Sequence, residues 1–249
     1  MGEVSVIEEE EVRFEKPVVV EGLPDVGLVG TIAVSYLVDK LEFREIGYVE
    51  SELFPPLMVI HDGELKSPVR IYGSDEGVLA ILSEVAIPPA AVYPLTRALT
   101  DWFKERDVGF VVSITGLPAP NRLEIEEPEV VGVGNCEDAV TRLKEKGVEL
   151  MLEGFIVGTY AVLLKECQKR GVPAVSLLAQ CFPVYPDPGA AAAALRTLER
   201  MTGLEIELGE LLERAEEIKL KARDLMRQTS TSLAEMQKNM EQDLPIMYR

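Results

Sequence analysis

The chain has 249 residues, of which 47% are hydrophobic and 27% are charged, so wholesale disorder and collagen-like repeats are excluded. Its 43 acidic and 25 basic residues give a net charge of −18, which disfavours nucleic acid and anionic membranes as partners. The single histidine argues against a metal site, a cofactor and a catalytic triad, and the three scattered cysteines predict reduced thiols in a cytoplasmic protein without a disulfide. No run of about 18 apolar residues occurs, so we expect no membrane span.

Short apolar runs alternate with helical segments along most of the chain. In chain order, we expect strands within 1–16, 18–20, 44–61, 77–88, 109–118, 129–134 and 173–181. We expect helices that end near Leu41, Arg106, Lys146 and Gly171, and one that begins at Pro188. This alternation predicts a three-layer αβα domain with a mostly parallel sheet over residues 1–204, followed by a helical extension over residues 205–249.

Two local signals have structural interpretations. His61 precedes Asp62-Gly63, a dipeptide typical of a tight hairpin turn, so we expect a structural role for this single histidine. Asn135 stands before the helix over 137–146 and is expected to cap it.

The helical extension carries a narrow apolar seam with alternating spacings of three and four residues. Its members are Leu208, Leu211, Ala215, Ile218, Ala222 and Leu225. Such a seam can pack on the helix's own domain, on another subunit or on a partner helix. We favour an oligomer or stalk helix, because the helix comes late, is long and has a narrow seam.

A glycine-rich turn lies between the first buried strand and its helix. Gly22, Gly27 and Gly30 match neither a dinucleotide fingerprint nor a phosphate-binding loop, and Asp25 at the helix start repels anions. Gly116 begins a second Gly-Leu-Pro turn after another strand, so the two turns could flank one crevice. We favour close helix–sheet packing for these glycines, with a small-ligand crevice as the alternative.

The last residues combine an apolar side chain, a tyrosine and a carboxylate. Pro245 ends the helix, and Met247, Tyr248 and Arg249 follow it. A shallow pocket with a basic residue could capture such a tip, which could also fold back on its own domain.

The segment PDVGLVGTIAVSYLV (24–38), the Gly-Leu-Pro turns and the helical tail resemble the proteasome-assembly-chaperone 2 (PAC2) family in its archaeal form. Residues 247–249 resemble the hydrophobic–tyrosine–any-residue (HbYX) terminus that proteasome activators insert between α-subunits of the 20S proteasome. The resemblance implies a homo-oligomer, a tetramer or pentamer, without enzymatic activity.

The function expected from this resemblance is that of a chaperone or adaptor that docks its tails on the 20S α-ring. One alternative is a ligand-binding protein or enzyme of nucleoside-phosphorylase-like topology that uses the glycine crevice. Arg122 is the only basic residue near the candidate loops, which counts against phosphate binding there. Another alternative is a scaffold that binds a different protein through the helix alone.

Overall fold

The computed structural model describes residues 3–10, 12 and 14–243. The strands it describes are β1 (Val4–Glu8), β2 (Val18–Gly22), β3 (Arg44–Ser51), β4 (Val59–His61), β5 (Glu64–Lys66), β6 (Val69–Gly73), β7 (Val78–Ser83), β8 (Phe110–Pro118), β9 (Val130–Gly134), β10 (Glu149–Leu150) and β11 (Ala174–Cys181). The α-helices it describes are α1 (Val29–Lys40), α2 (Pro89–Glu105), α3 (Glu137–Glu145), α4 (Thr159–Arg170), α5 (Pro188–Thr202), α6 (Gly209–Glu213) and α7 (Ala215–Asp243).

Nine of these strands form one sheet in the order β1-β3-β6-β7-β2-β8-β11-β9-β10. Its centre is parallel: Val20 of β2 lies opposite Ala80 of β7 and Val112 of β8, and β11 runs parallel to β8. Toward both edges antiparallel pairs join the sheet, as where β6 turns directly into β7. The α/β class is confirmed, with the parallel part confined to the strands that helices connect.

Helices cover both faces of the sheet, which gives the predicted three layers. On one face, α1, α3 and α5 pack with the sheet around side chains such as Leu37, Leu143 and Leu195. On the other face, α2 and α4 pack around side chains such as Leu95 and Leu163. Short buried alanines of α5 allow this helix to lie close to α1 and to the sheet.

The C-terminal extension packs on the domain that precedes it. Leu211 and Met226 are buried in the same core as α1 and α5. Farther along α7, Met236 contacts the core of the opposite face. In addition, α7 lies close to the turn Val26–Leu28 at the carboxyl end of β2. The helix therefore crosses the carboxyl edge of the parallel strands from one face of the sheet to the other.

The predicted seam faces this domain. Leu208, Ile218, Ala222 and Leu225 are half-buried against the core that contains Leu211. The structure thus favours the self-packing alternative over a projecting stalk, because these residues pack against the core of their own domain. Among the described residues, no helix is both long and apolar enough to cross a bilayer.

Two local predictions have different outcomes. The hairpin at Asp62-Gly63 is confirmed, with positive φ at both residues and His61 paired with Glu64. The prediction that Asn135 caps α3 is wrong, since Cys136 occupies the cap position without a side-chain bond. The Asn135 amide instead donates to the carbonyl of Val172 and accepts from the backbone N–H of Ala174, which ties two loops together.

Candidate functional site

The predicted crevice lies where β2 ends and α1 begins, and backbone contacts fill it. A methyl group on Gly30 would lie 2.0 Å from the carbonyl oxygen of Ile114 in β8. A methyl group on Gly22 would lie 2.3 Å from the carbonyl oxygen of Gly30. Real side chains do not approach backbone atoms this closely, so α1 meets the sheet here only because both residues lack a side chain.

The predicted second glycine turn is wrong, since Gly116 lies inside β8, where it pairs with Ala179 of β11. Gly116 nevertheless lies against the first glycine turn. A methyl group on Gly116 would lie 2.3 Å from the carbonyl oxygen of Val26 in the first turn. Gly27 has a φ of 64°, and a methyl group there would lie 2.8 Å from Sγ of Cys181. Cys181 thus fills the space between Gly27 and Gly116, which leaves little room for a ligand beside these glycines.

A buried carboxyl group lies at the end of β2, on Glu21, which is not among the residues that the sequence singles out. Glu21 accepts hydrogen bonds from the backbone N–H of Leu23, at 2.8 Å, and from the hydroxyl of Ser113. Burial away from water raises the pKa of Glu21 to about 7. Its only signal in the sequence is a single charged residue within an apolar strand.

Asp25 forms the second part of this acidic cluster. Its Oδ1 accepts the backbone N–H of Val26 at 2.7 Å, which fixes the turn that leads into α1. Its Oδ2 is buried without a hydrogen-bond partner among the described residues, close to Gly158. Burial raises the pKa of Asp25 to about 7, and the nearby charge of Glu21 contributes in the same direction.

The surroundings of these carboxyl groups favour the protonated form. Tyr160 at the start of α4 is buried, and burial and the Asp25 charge both raise its pKa. Among the described residues, no group of three or more histidine, cysteine or acidic side chains could hold a metal ion. The cluster therefore consists of buried acids that the turn and α4 enclose.

Arg122, the basic residue nearest the crevice, is held by other groups. Its Nε lies 2.8 Å from Oδ2 of Asp187, and its Nη1 donates to the carbonyl of Ile125 at 2.6 Å. Its guanidinium also lies over the ring of Phe182. These contacts brace the loop after β8 against the loop after β11, so Arg122 is not free to bind a phosphate group.

Several large apolar side chains are exposed, and most of them lie on one hairpin and on loops. On the β4–β5 hairpin and the loop before it these are Leu57, Met58, Ile60 and Leu65. On the loops after β8, β10 and β11 they are Leu123, Leu152, Phe155, Val184 and Tyr185. Exposed apolar clusters of this kind are typical of protein–protein contact rather than of small-molecule chemistry.

The predicted docking residues Met247, Tyr248 and Arg249 lie outside the described residues. The backbone is described to Asp243, the last residue of α7, and the tail follows it directly in the sequence. The structure thus fixes where the tail begins on the domain.

A family model supports the resemblance on which the docking prediction rests. The model of the PAC2 family matches residues 19–226. An uncharacterised protein of Methanocaldococcus jannaschii is 30% identical over 222 residues, which cover 89% of this chain and 90% of that protein.

Solved structures of two Pyrococcus furiosus proteins are also similar. PbaA, described as an archaeal homologue of proteasome-assembly chaperone, has a TM-score of 0.85 and 30% identity over 92% of this chain and 99% of its own. PbaB, described as an archaeal proteasome activator, has a TM-score of 0.76 and 26% identity over 90% of this chain and 99% of its own.

Proposed function

This chain belongs to the PAC2 family, and we propose that it acts on the proteasome as an assembly chaperone or a binding adaptor. The observation that carries the proposal is the similarity of nearly the whole chain to two archaeal proteins described in proteasome terms. The role is one of binding rather than catalysis. The buried state of Glu21 and Asp25 and the internal contacts of Arg122 support this, since none of these groups is exposed to a substrate.

The proposed contact is the tail. Met247, Tyr248 and Arg249 insert into pockets between α-subunits of the 20S proteasome. The Tyr248 ring packs in the pocket and its hydroxyl donates a hydrogen bond, while Met247 fills an apolar depression. The Arg249 carboxylate pairs with a pocket lysine, in a charge-assisted bond stronger than a neutral one.

The proposed assembly is a tetramer or pentamer. Several tails on one particle raise the effective concentration of each tail near the α-ring, so a weak single contact suffices. The seam of α6 and α7 is half-buried against its own domain, so exposed apolar side chains of other surfaces are further candidates for the subunit contacts.

Tyr248→Ala is expected to weaken binding to the 20S particle at least about thirtyfold, because a buried tyrosine anchor typically contributes 2 kcal/mol or more. Deletion of residues 247–249 and addition of a C-terminal tag should have the same effect, since the proposed contact requires a free carboxylate at Arg249. Surface plasmon resonance with immobilised 20S particles measures the affinities.

The matched control for this experiment is Tyr93→Ala, which removes a tyrosine that is 46% exposed on α2. This variant should keep its affinity. Equal affinities of the full-length and truncated chains would refute tail docking and direct attention to the α/β domain.

Light scattering at micromolar concentration should give a mass four or five times the 27.5 kDa of one chain. Leu211→Glu is a poor test of the seam, because that side chain is buried and its replacement should unfold the domain. Leu220→Glu tests the exposed face of α7 instead, since this leucine lies outside the seam and is 73% exposed. We expect it to leave the mass unchanged; a lower mass would assign the assembly to α7, and a wild-type monomer would contradict the proposed oligomer.

A further inference from the structure

The β4–β5 hairpin contacts the part of the sheet that contains β3 and β6, and polar side chains on one face of the hairpin make these contacts. Lys66 lies 3.5 Å from Glu45 of β3, and Nε2 of His61 lies 2.7 Å from Oε1 of Glu84. Arg70 of β6 also contacts Glu84 and His61. These polar contacts hold the hairpin in a defined position relative to β3.

The other face of the hairpin is apolar and exposed. Ile60 and Leu65 form a cross-strand pair, and they are 68% and 70% exposed. Met58, two residues before Ile60, is 55% exposed. Since side chains alternate between the faces of a strand, these apolar groups lie on the face opposite to His61 and Lys66.

A groove separates this hairpin from β3, and we call it the hairpin groove. Its apolar lining includes Tyr48, Leu57, Met58 and Leu65, and its acidic lining includes Glu50 and Glu52. Its volume of about 670 Å³ is in the range of binding clefts.

The charge of the hairpin groove is unbalanced. Glu50 and Glu52 are exposed, and no cation among the described residues pairs with either of them. Lys66, the cation that lines the groove, is already held by Glu45 and Glu64. An occupant with positive charges beside apolar side chains would therefore gain contacts of both kinds.

We propose that the hairpin groove binds an extended segment of a partner protein in which basic and apolar residues alternate. Apolar side chains of that segment lie on Leu57, Met58 and Leu65, and its basic side chains face Glu50 and Glu52. A partner other than a second copy is favoured, because this chain has 43 acidic but only 25 basic residues and so offers few basic side chains to Glu50 and Glu52. The surface is separate from the tail, so it goes beyond the proposed docking on the α-ring.

The test uses a fluorescein-labelled peptide of eight alternating leucine and lysine residues and the full-length protein at low salt. Fluorescence anisotropy should show saturable binding that weakens as salt is added. Glu50→Gln with Glu52→Gln should weaken it about fivefold or more, because two exposed charge contacts are lost. Met58→Ser with Leu65→Ser should weaken it similarly, and a peptide of alternating leucine and glutamate should not bind.

Matched controls separate the groove from the general attraction of a cationic peptide to an acidic protein. Glu126→Gln with Glu127→Gln removes the same charge from an exposed loop elsewhere, and Leu123→Ser removes an exposed leucine that is 90% accessible. Both controls should bind the peptide as the wild type does.

Three outcomes would overturn the proposal. Equal weakening by the groove and control variants would mean that the attraction is unspecific. Much tighter binding by a chain that lacks residues 244–249 would assign the groove to the protein's own tail. A lower oligomer mass for Met58→Ser with Leu65→Ser would assign it to a second copy. None of these results depends on 20S binding, so the tail and the hairpin groove are tested separately.

Discussion

Gly30→Ala is expected to lower the free energy of unfolding by about 3 kcal/mol, and Gly30→Val by more. The added methyl group would lie 2.0 Å from the carbonyl oxygen of Ile114, and a backbone atom in the centre of a sheet cannot move aside. For a domain of this size the loss corresponds to roughly 6–12 °C in melting temperature. Thermal and urea unfolding followed by circular dichroism measure both quantities.

Gly73→Ala is the matched control, because this strand glycine is also buried. A methyl group there would meet side-chain atoms of Ile46 at 3.4 Å, which is an ordinary contact. We expect a change below about 1 kcal/mol. If Gly30→Ala lowers the free energy of unfolding no more than Gly73→Ala does, α1 does not depend on close approach to β8. Such a result would favour the small-ligand interpretation of the glycines.

Wild-type stability is expected to fall as the pH rises from about 4 to about 7. The folded state keeps the protons of Glu21 and Asp25 up to about pH 7, whereas the unfolded chain releases them near pH 4. The folded state thus binds more protons over this interval, and the free energy of unfolding decreases with pH before it levels off above about 7. For Asp25 alone, a pKa raised from 3.8 to about 7 corresponds to about 4 kcal/mol at pH 8.

Asp25→Asn should remove much of this dependence. The amide oxygen can still accept the N–H of Val26, while the charge that opposes folding at high pH is absent. The variant should therefore gain stability relative to the wild type between pH 5 and pH 8 in urea titrations. Asp62→Asn, at an exposed turn, should keep the wild-type profile, and an unchanged slope in Asp25→Asn would show that Asp25 is already ionised in the folded protein.

Much of the fold follows from local patterns in the sequence. The apolar run ending at Gly22, the glycine turn and the helix after it predict a strand–turn–helix unit, and the structure contains it. The Asp62-Gly63 dipeptide predicts its hairpin, because few other residues accept positive φ at both positions. Each of these signals depends only on residues that are neighbours in the chain, so it can be recognised from the sequence alone.

The remaining features depend on contacts between distant segments. The spacing of Leu211 and Ile218 shows that one helix face is buried, but the same spacing results whether its own domain or another subunit covers it. Glu21 resembles any strand residue until Ser113 and the covering turn are placed around it. Asn135 is of a residue type that often caps helices, and only the positions of Val172 and Ala174 show that its amide makes other hydrogen bonds.

The path of α7 has a geometric consequence for a multivalent contact. Because Met226 and Met236 anchor this helix on opposite faces of the sheet, the point from which the tail departs is fixed to the body of the subunit. Six fully extended residues after Asp243 span at most about 20 Å. The distances between neighbouring departure points are then set by the symmetry of the particle. If the tails dock as proposed, only rings whose pocket spacing agrees with that symmetry to within this tether length will engage several tails at once.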